Sequence, residues 1–305
     1  MEPKVHTIFE PVTATWQYIV ADPVKKEAVL IDTVLDYDKD TGTISTKSAD
    51  NLLEIVSKHD YFVSRILETH AHADHLTASR YLQHELTQRQ NGKRPLVCIG
   101  KGITGVQETM GKKYNVPKEE MQDAFDHLFS DGEKFSIGDI EAEVVHLPGH
   151  TPDHIGYVIG SNIFVGDSIF NPDVGSARCD FPGGSATALY NSVQKLMGFP
   201  DHFKIHVGHD YPPNDRPAPD TDGLRAIPFT TVEQQKKENK HVKHGTAMEH
   251  FVKMRSERDS TLSEPKLLLP SMHVNIRGGR LPSKPVKGFK LEHVPKSAEM
   301  LRASM

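Results

Sequence analysis

His70-Ala71-His72-Ala73-Asp74-His75 places three imidazoles and a carboxylate within six residues. Imidazole nitrogen and carboxylate oxygen are the donors that first-row transition metals select, so the stretch points to a metal centre. It follows an apolar run at 63–67 and precedes a helix-like run at 76–86. That sets it at a strand-to-helix junction, where loops carry chemistry on a rigid scaffold. Histidines near a helix start also serve as caps or solvated loop residues. Three in six residues, with an Asp among them, weigh against that reading.

Three later segments repeat one pattern, an apolar strand that ends in a potential ligand: 144–150 ends at His150, 163–167 at Asp167 and 205–209 at His209. In sheet-based enzymes the strand ends are where sites assemble. Gly149, Gly166 and Gly208 each stand just before the ligand, which predicts close backbone approach or unusual dihedrals there. Around these segments the pattern predicts strands at 16–20, 28–31, 63–67, 96–99, 155–159, 163–165 and 204–207, and a hairpin over 132–147 turned at Gly138-Asp139. Helices are expected at 48–59, from Leu76 to before Asn91-Gly92, and at 187–197. After Tyr211 the character changes. Residues 212–228 hold five prolines and read as an extended surface segment. Two helices follow, near 232–241 and 246–258, and 267–305 reads as loops and short strands. The expected organisation is a core over 1–211 and an elaboration over 212–305 packed on it as one structural domain.

The chain has 305 residues, 37% hydrophobic and 25% charged, with a formal net charge of −5. This is a globular composition, and the acidic balance argues against general nucleic-acid binding. No apolar run approaches the ~20 residues that span a bilayer. The N-terminus contains Glu2, Lys4 and Glu10 and has no signal-like core. The expectation is a cytoplasmic protein, with the mitochondrial matrix as the alternative if a presequence has been removed. Two cysteines, Cys98 and Cys179, exclude a disulfide framework and a thiolate zinc site by count. Cys98 reads as core, Cys179 as a loop residue. One motif competes for a different function: Gly100-Lys101-Gly102-Ile103-Thr104-Gly105 fits the glycine pattern of a dinucleotide site, with Glu119 and Glu120 near the acidic position. No strand pattern leads to those glutamates, and the motif depends on that context.

The ordered set His70, His72, Asp74, His75, His150, Asp167 and His209 resembles the metallo-β-lactamase superfamily. The resemblance implies an α/β (α+β) fold, the αββα sandwich of two mixed sheets flanked by helices, with the metal at one edge. The loop 175–184, with Arg178 and Cys179, together with Gly149-His150-Thr151-Pro152 and His209-Asp210-Tyr211, is similar to the persulfide dioxygenases. The tail resembles that of longer bacterial-type members. This implies one Fe(II) held by His70, His150 and Asp167, with glutathione persulfide and O₂ as substrates and sulfite and glutathione as products. A 2-His-1-carboxylate face leaves open positions for both substrates. His72, Asp74, His75 and His209 would then bond metal-bound water or fix the ligands, and Tyr211 would contact the substrate sulfur. Arg178, with its bidentate guanidinium, and Arg216 are the candidates for substrate carboxylates. The alternative within the resemblance is a di-zinc hydroxyacylglutathione hydrolase, in which Asp74, His75 and His209 hold a second zinc bridged by Asp167. The oligomeric state is open between monomer and homodimer.

Overall fold

The computed structural model describes residues 1–218 and 223–302. Two six-stranded sheets dominate it. The first runs in chain order, Lys4–Glu10, Thr15–Ala21, Glu27–Ile31, Phe62–Leu67, Leu96–Gly100 and His127–Phe129. Its first two pairings are antiparallel and the remaining three parallel. The second also follows chain order, Lys134–Ile137, Ile140–His146, Ile155–Ile159, Asn162–Phe164, Lys204–His206 and Phe229–Thr231, with one parallel pair, Asn162–Phe164 against Lys204–His206.

Period-two alternation explains why the sheets stack. Trp16, Tyr18 and Val20 face the second sheet, where they join Val144, Tyr157 and Phe164 in one core. Their neighbours Ile19 and Ala21 turn the other way, into a core shared with the helices Lys47–Lys58 and Ser79–Arg89. Both faces of these strands are covered, so they read as continuous apolar runs. The second sheet repeats the arrangement: Val145, Ile163 and Val165 pack outward against the helix Ala186–Met197. The result is the expected αββα sandwich. Each large side chain buried in these three layers contributes about 1.5–3 kcal/mol.

Several expectations need correction. The helix after the His/Asp stretch begins at Ser79, because Leu76–Thr77 pairs as a short strand with Val34–Asp38, which also pairs with Thr43–Ser45. Those three strands, the edge strands Lys4–Glu10 and His127–Phe129, and Phe229–Thr231 were not anticipated. They are short or mix polar with apolar residues, so the pattern is weak. The tail contains a helix, Leu268–Asn275. Pro270 reads as a helix breaker but occupies the first turn, where a backbone N–H has no partner to lose. The helices 232–241 and 246–258 are realised as Val232–Glu238 and Met248–Asp259.

Residues beyond 211 enter every layer. Phe229–Thr231 completes the second sheet, Phe251 joins the outer core of that sheet, and Met272 and Ile276 pack with Ile99 and Ile103. The segment 212–228 is without regular structure where it is described; 219–222, including Pro219, and 303–305 lie outside the described residues. Among the described residues no helix is long and apolar enough to cross a membrane.

The glycine motif at 100–105 does sit between a strand and the helix Ile103–Tyr114, and the next strand, His127–Phe129, is parallel. Its glycines serve packing instead. A Cβ on Gly100 would meet the Asp153 carbonyl oxygen at 2.6 Å, and one on Gly102 the Asp153 Cα at 2.6 Å. The space a pyrophosphate would need is filled by the 150s loop. Glu120 is engaged by Arg277 and Ser283.

Candidate metal centre

The His70–His75 loop leaves the end of the Phe62–Leu67 strand and is pinned from three sides. Thr69 donates its N–H and Oγ1–H to the Asp32 carboxylate at 2.8 and 2.9 Å. Asp32 itself has φ +50°, a left-handed conformation uncommon outside glycine that concentrates at functional sites. Asp153 Oδ2 accepts the Ala71 N–H at 2.8 Å. From the tail, Asn275 Nδ2 donates to the carbonyl oxygens of His72 and His75 at 2.8 Å each, and its Oδ1 accepts the Thr77 N–H at 2.9 Å.

Hydrogen bonds on the outer nitrogens fix the imidazole tautomers. The Thr69 hydroxyl spends its proton on Asp32, so at 2.9 Å it accepts from His70 Nδ1–H. His150 Nδ1–H donates to the Arg178 carbonyl at 2.8 Å, and His75 Nδ1–H faces the Leu76 carbonyl at 3.3 Å. In each ring Nε2 is left as the lone-pair nitrogen, the form a metal requires. His70 Nε2, His75 Nε2, His72 Nδ1 and Asp167 Oδ1 are buried without a hydrogen-bond partner. Buried polar atoms are rarely left so, and orphaned ligand-type atoms gathered in one place fit a metal centre.

Two donor groups share this space. The ligand atoms of His70, His150 and Asp167 lie within 4.8 Å of one another, and so do those of His72, Asp74 and His75. His70 and His150 Nε2 stand 3.9 and 3.6 Å from Asp167 Oδ2. His209 Nε2 meets Asp74 Oδ2 at 3.0 Å and lies 3.6 Å from Asp167 Oδ1. Burial and the neighbouring imidazoles push His70 well below its usual pKa. Burial, with His72 alongside, brings His75 down to about 3. Against burial, Asp167 and Asp74 lift His209 to about 9, and Asp32 with Glu68 lifts His72. His72 Nε2 lies 3.1 Å from Asp32 Oδ1 and 3.3 Å from Glu68 Oε2.

The glycines that precede the strand-end residues behave as the sequence suggests. Gly149 has φ +144°, and a Cβ there would meet the backbone of Leu189 at 2.3 Å. At Gly208 the obstacle is Asp167 itself, with Oδ1 2.6 Å from an added Cβ.

The centre opens into a cleft of about 1030 Å³. Tyr211 lines it, stacked on His209 (centroids 5.8 Å apart, 15°) and edge-on to Phe170. Desolvation beside Asp74 and Asp167 holds its phenol protonated. Arg178 also lines the cleft, but its guanidinium is committed: both Asp180 oxygens accept from it at 2.5 Å, and the Ser263 carbonyl at 2.9 Å. Arg216 does not reach the cleft, which corrects its expected contact with a substrate carboxylate. It is bound by Asp210 and Asp173 and braces the segment after His209. Cys179 is buried and packed in the outer core, with burial pushing its thiol up to about 12.

Sequence reasoning missed six residues here. His154 accepts the Asp167 N–H on Nε2 at 3.0 Å and stacks on His70 at 4.5 Å. Asp153, beside it, holds the Ala71 backbone. Their signal was available, one turn beyond His150. Asp32 and Glu68 follow strands and carry no motif of their own. Arg258 and Lys266 also line the cleft, on a tail read only as elaboration.

The model for the metallo-beta-lactamase superfamily matches residues 11–209. Glyoxylase B2 of Dictyostelium discoideum is 41% identical over 96% of this chain and 96% of its own. A probable metallo-hydrolase of Burkholderia pseudomallei is 39% identical over 96% of this chain and 99% of its own. The human mitochondrial persulfide dioxygenase ETHE1 is 28% identical over 89% of this chain and 87% of its own. Among solved structures, ETHE1 from Myxococcus xanthus superposes with a TM-score of 0.69 at 25% identity, covering 91% of this chain and all of that one.

Proposed function

The chain belongs to the metallo-beta-lactamase superfamily, and from that premise we propose that it is a glutathione persulfide dioxygenase with one Fe(II) held by His70, His150 and Asp167. The observation that carries the reading is the split between the two donor groups. His70, His150 and Asp167 form a two-histidine, one-carboxylate group, with His150 and Asp167 lining the cleft, the arrangement of non-haem iron oxygenases. Asp74 and His209 instead face each other, with Nε2 3.0 Å from Oδ2.

Iron bound at that face would supply the redox chemistry between O₂ and the terminal persulfide sulfur. The protein supplies the rest. His209 holds a proton on Nε2 between Asp74 and Asp167. The Tyr211 hydroxyl, kept protonated, donates a hydrogen bond to the substrate sulfur. Glutathione carries two carboxylates, and with Arg178 tied to Asp180 the cations left to receive them are Lys39, from the N-terminal half, and two on the tail. Arg258 and Lys266 line the cleft, and among the described residues neither side chain has an ion-pair partner. Replacing both by alanine is expected to raise KM for glutathione persulfide about tenfold or more, the effect of losing a charge-assisted hydrogen bond, with kcat retained. Steady-state kinetics check this, and an unchanged KM refutes the assignment.

His75→Ala separates one metal from two. It is expected to leave most of the iron in place, as measured by metal analysis of the purified variant. Complete loss of metal would contradict the single-ion assignment.

A di-zinc hydroxyacylglutathione hydrolase is the second reading. It would place a second zinc on Asp74, His75 and His209, of which Asp74 and His75 lie in one donor group with His72 and His209 Nε2 is 3.0 Å from Asp74 Oδ2. It is favoured by the higher identity to the glyoxylase than to the persulfide dioxygenase. Both substrates offered to one preparation discriminate the two. The dioxygenase consumes oxygen with glutathione persulfide and leaves an acylglutathione thioester intact; the hydrolase does the reverse.

A further inference from the structure

We infer that the buried ion pair Arg255–Asp259, on the C-terminal helix Met248–Asp259, is a positioning pair that orients His150 toward the metal. This rests on the reading of His150 as a ligand. His150 Nδ1 has its acceptor in the backbone carbonyl of Arg178, at 2.8 Å. The direction of Nε2 therefore depends on where that carbonyl stands, and side-chain chemistry at position 178 does not set it.

The helix fixes the carbonyl from both sides. Arg255 Nη1 donates to the Ser176 carbonyl at 3.2 Å, and Asp259 Oδ2 accepts the Cys179 N–H at 2.8 Å. Only Ala177 and Arg178 lie between these anchors. The two anchors are locked together, because Arg255 Nε and Nη2 both donate to Asp259 Oδ1, at 2.9 and 2.6 Å. The side chains are 3% and 9% exposed. A charge pair so buried costs desolvation unless its hydrogen bonds are complete, and here each member also holds one end of the loop. An outer partner that fixes an imidazole's orientation tunes its affinity for a metal. The chain's tail therefore reaches the centre through one backbone carbonyl.

The test uses the full-length protein freed of metal and titrated with Co(II) against a competing chelator. Visible absorption reports the coordination, and thermal unfolding is measured on the same samples. His150→Ala is expected to lose tight Co(II) binding. Asp259→Asn keeps the shape but removes the charge; it is expected to bind Co(II) roughly 10–100-fold more weakly, the range for loss of an outer partner, with a shifted visible spectrum. Arg255→Lys, which keeps the charge, is expected to fall between Asp259→Asn and wild type and covers the case in which Asp259→Asn does not fold. Both helix variants are expected to lose some stability, which thermal unfolding reads separately from Co(II) binding. If they bind Co(II) with wild-type affinity and spectrum while His150→Ala does not, the pair is a structural brace and the inference fails. If His150→Ala binds Co(II) normally, the ligand reading fails and the inference with it.

Discussion

Asp167→Ala is expected to yield a folded protein that retains no iron and turns over glutathione persulfide at the background rate. Among the described residues, Asp167 is the one carboxylate that approaches both His70 and His150, with Oδ2 3.9 and 3.6 Å from their Nε2 atoms, and its Oδ1 faces His209. Removing it deletes the anionic ligand and leaves neutral imidazoles to bind a dication. A bound metal is worth several kcal/mol of transition-state stabilisation, so the loss in kcat/KM is about a thousandfold or more. His150→Ala should behave alike, whereas His75→Ala should not. Metal content and oxygen uptake, measured on the same preparations, check the pattern. Burial raises the Asp167 pKa, so the carboxyl carries a desolvation cost in the metal-free fold. The alanine variant is therefore expected to unfold no more readily than the metal-free wild type.

The second large effect concerns the fold. Gly149→Ala is expected to destabilise the protein by roughly 3 kcal/mol, at the upper end for forced overpacking, and to lower Tm by about 5 °C. The added methyl would stand 2.3 Å from the backbone nitrogen and Cα of Leu189, in the first turns of the Ala186–Met197 helix, and φ at 149 is +144°. Neither obstacle can yield by rotating a side chain. The helix or His150 must move, so metal affinity should fall together with stability. Thermal unfolding of metal-free and metal-loaded protein checks both effects. A variant as stable as wild type would mean that the approach of the 149 backbone to the helix is looser than described.

The part of this site legible in the sequence was the part built from strand ends. His70, His150, Asp167 and His209 each follow an apolar run, and the glycines before the last three, Gly149, Gly166 and Gly208, all mark close approaches. The second shell of partners was not legible. Asp32 acts through a left-handed backbone and a contact to Thr69 37 positions away; no local pattern encodes that. Arg178 shows the opposite failure. Its residue type suggested a carboxylate contact, but Asp180, two positions on, takes the guanidinium, and the backbone carbonyl is the group that touches the centre. The tail was least legible. Asn275, Arg255, Arg258 and Lys266 are scattered among prolines and short helices, and only the closure of the fold brings them to the His70–His75 loop, the 176–179 loop and the cleft. The buried strands were read from apolar runs, while the αββα sandwich was implied by the resemblance that the His/Asp set carries; the missed elements are the short edge pieces where no run has length to develop.

The central claim is that a single iron at His70, His150 and Asp167 supports oxygen chemistry on a persulfide. It is tested most directly by reconstituting metal-free protein with increasing Fe(II) and following oxygen uptake and sulfite formation with glutathione persulfide. The account predicts that activity rises linearly and saturates at one iron per chain, with one O₂ consumed for each sulfite formed, and that Zn(II) does not substitute. Saturation only at two metal ions per chain, with no oxygen uptake and rapid thioester hydrolysis restored by Zn(II), would contradict it.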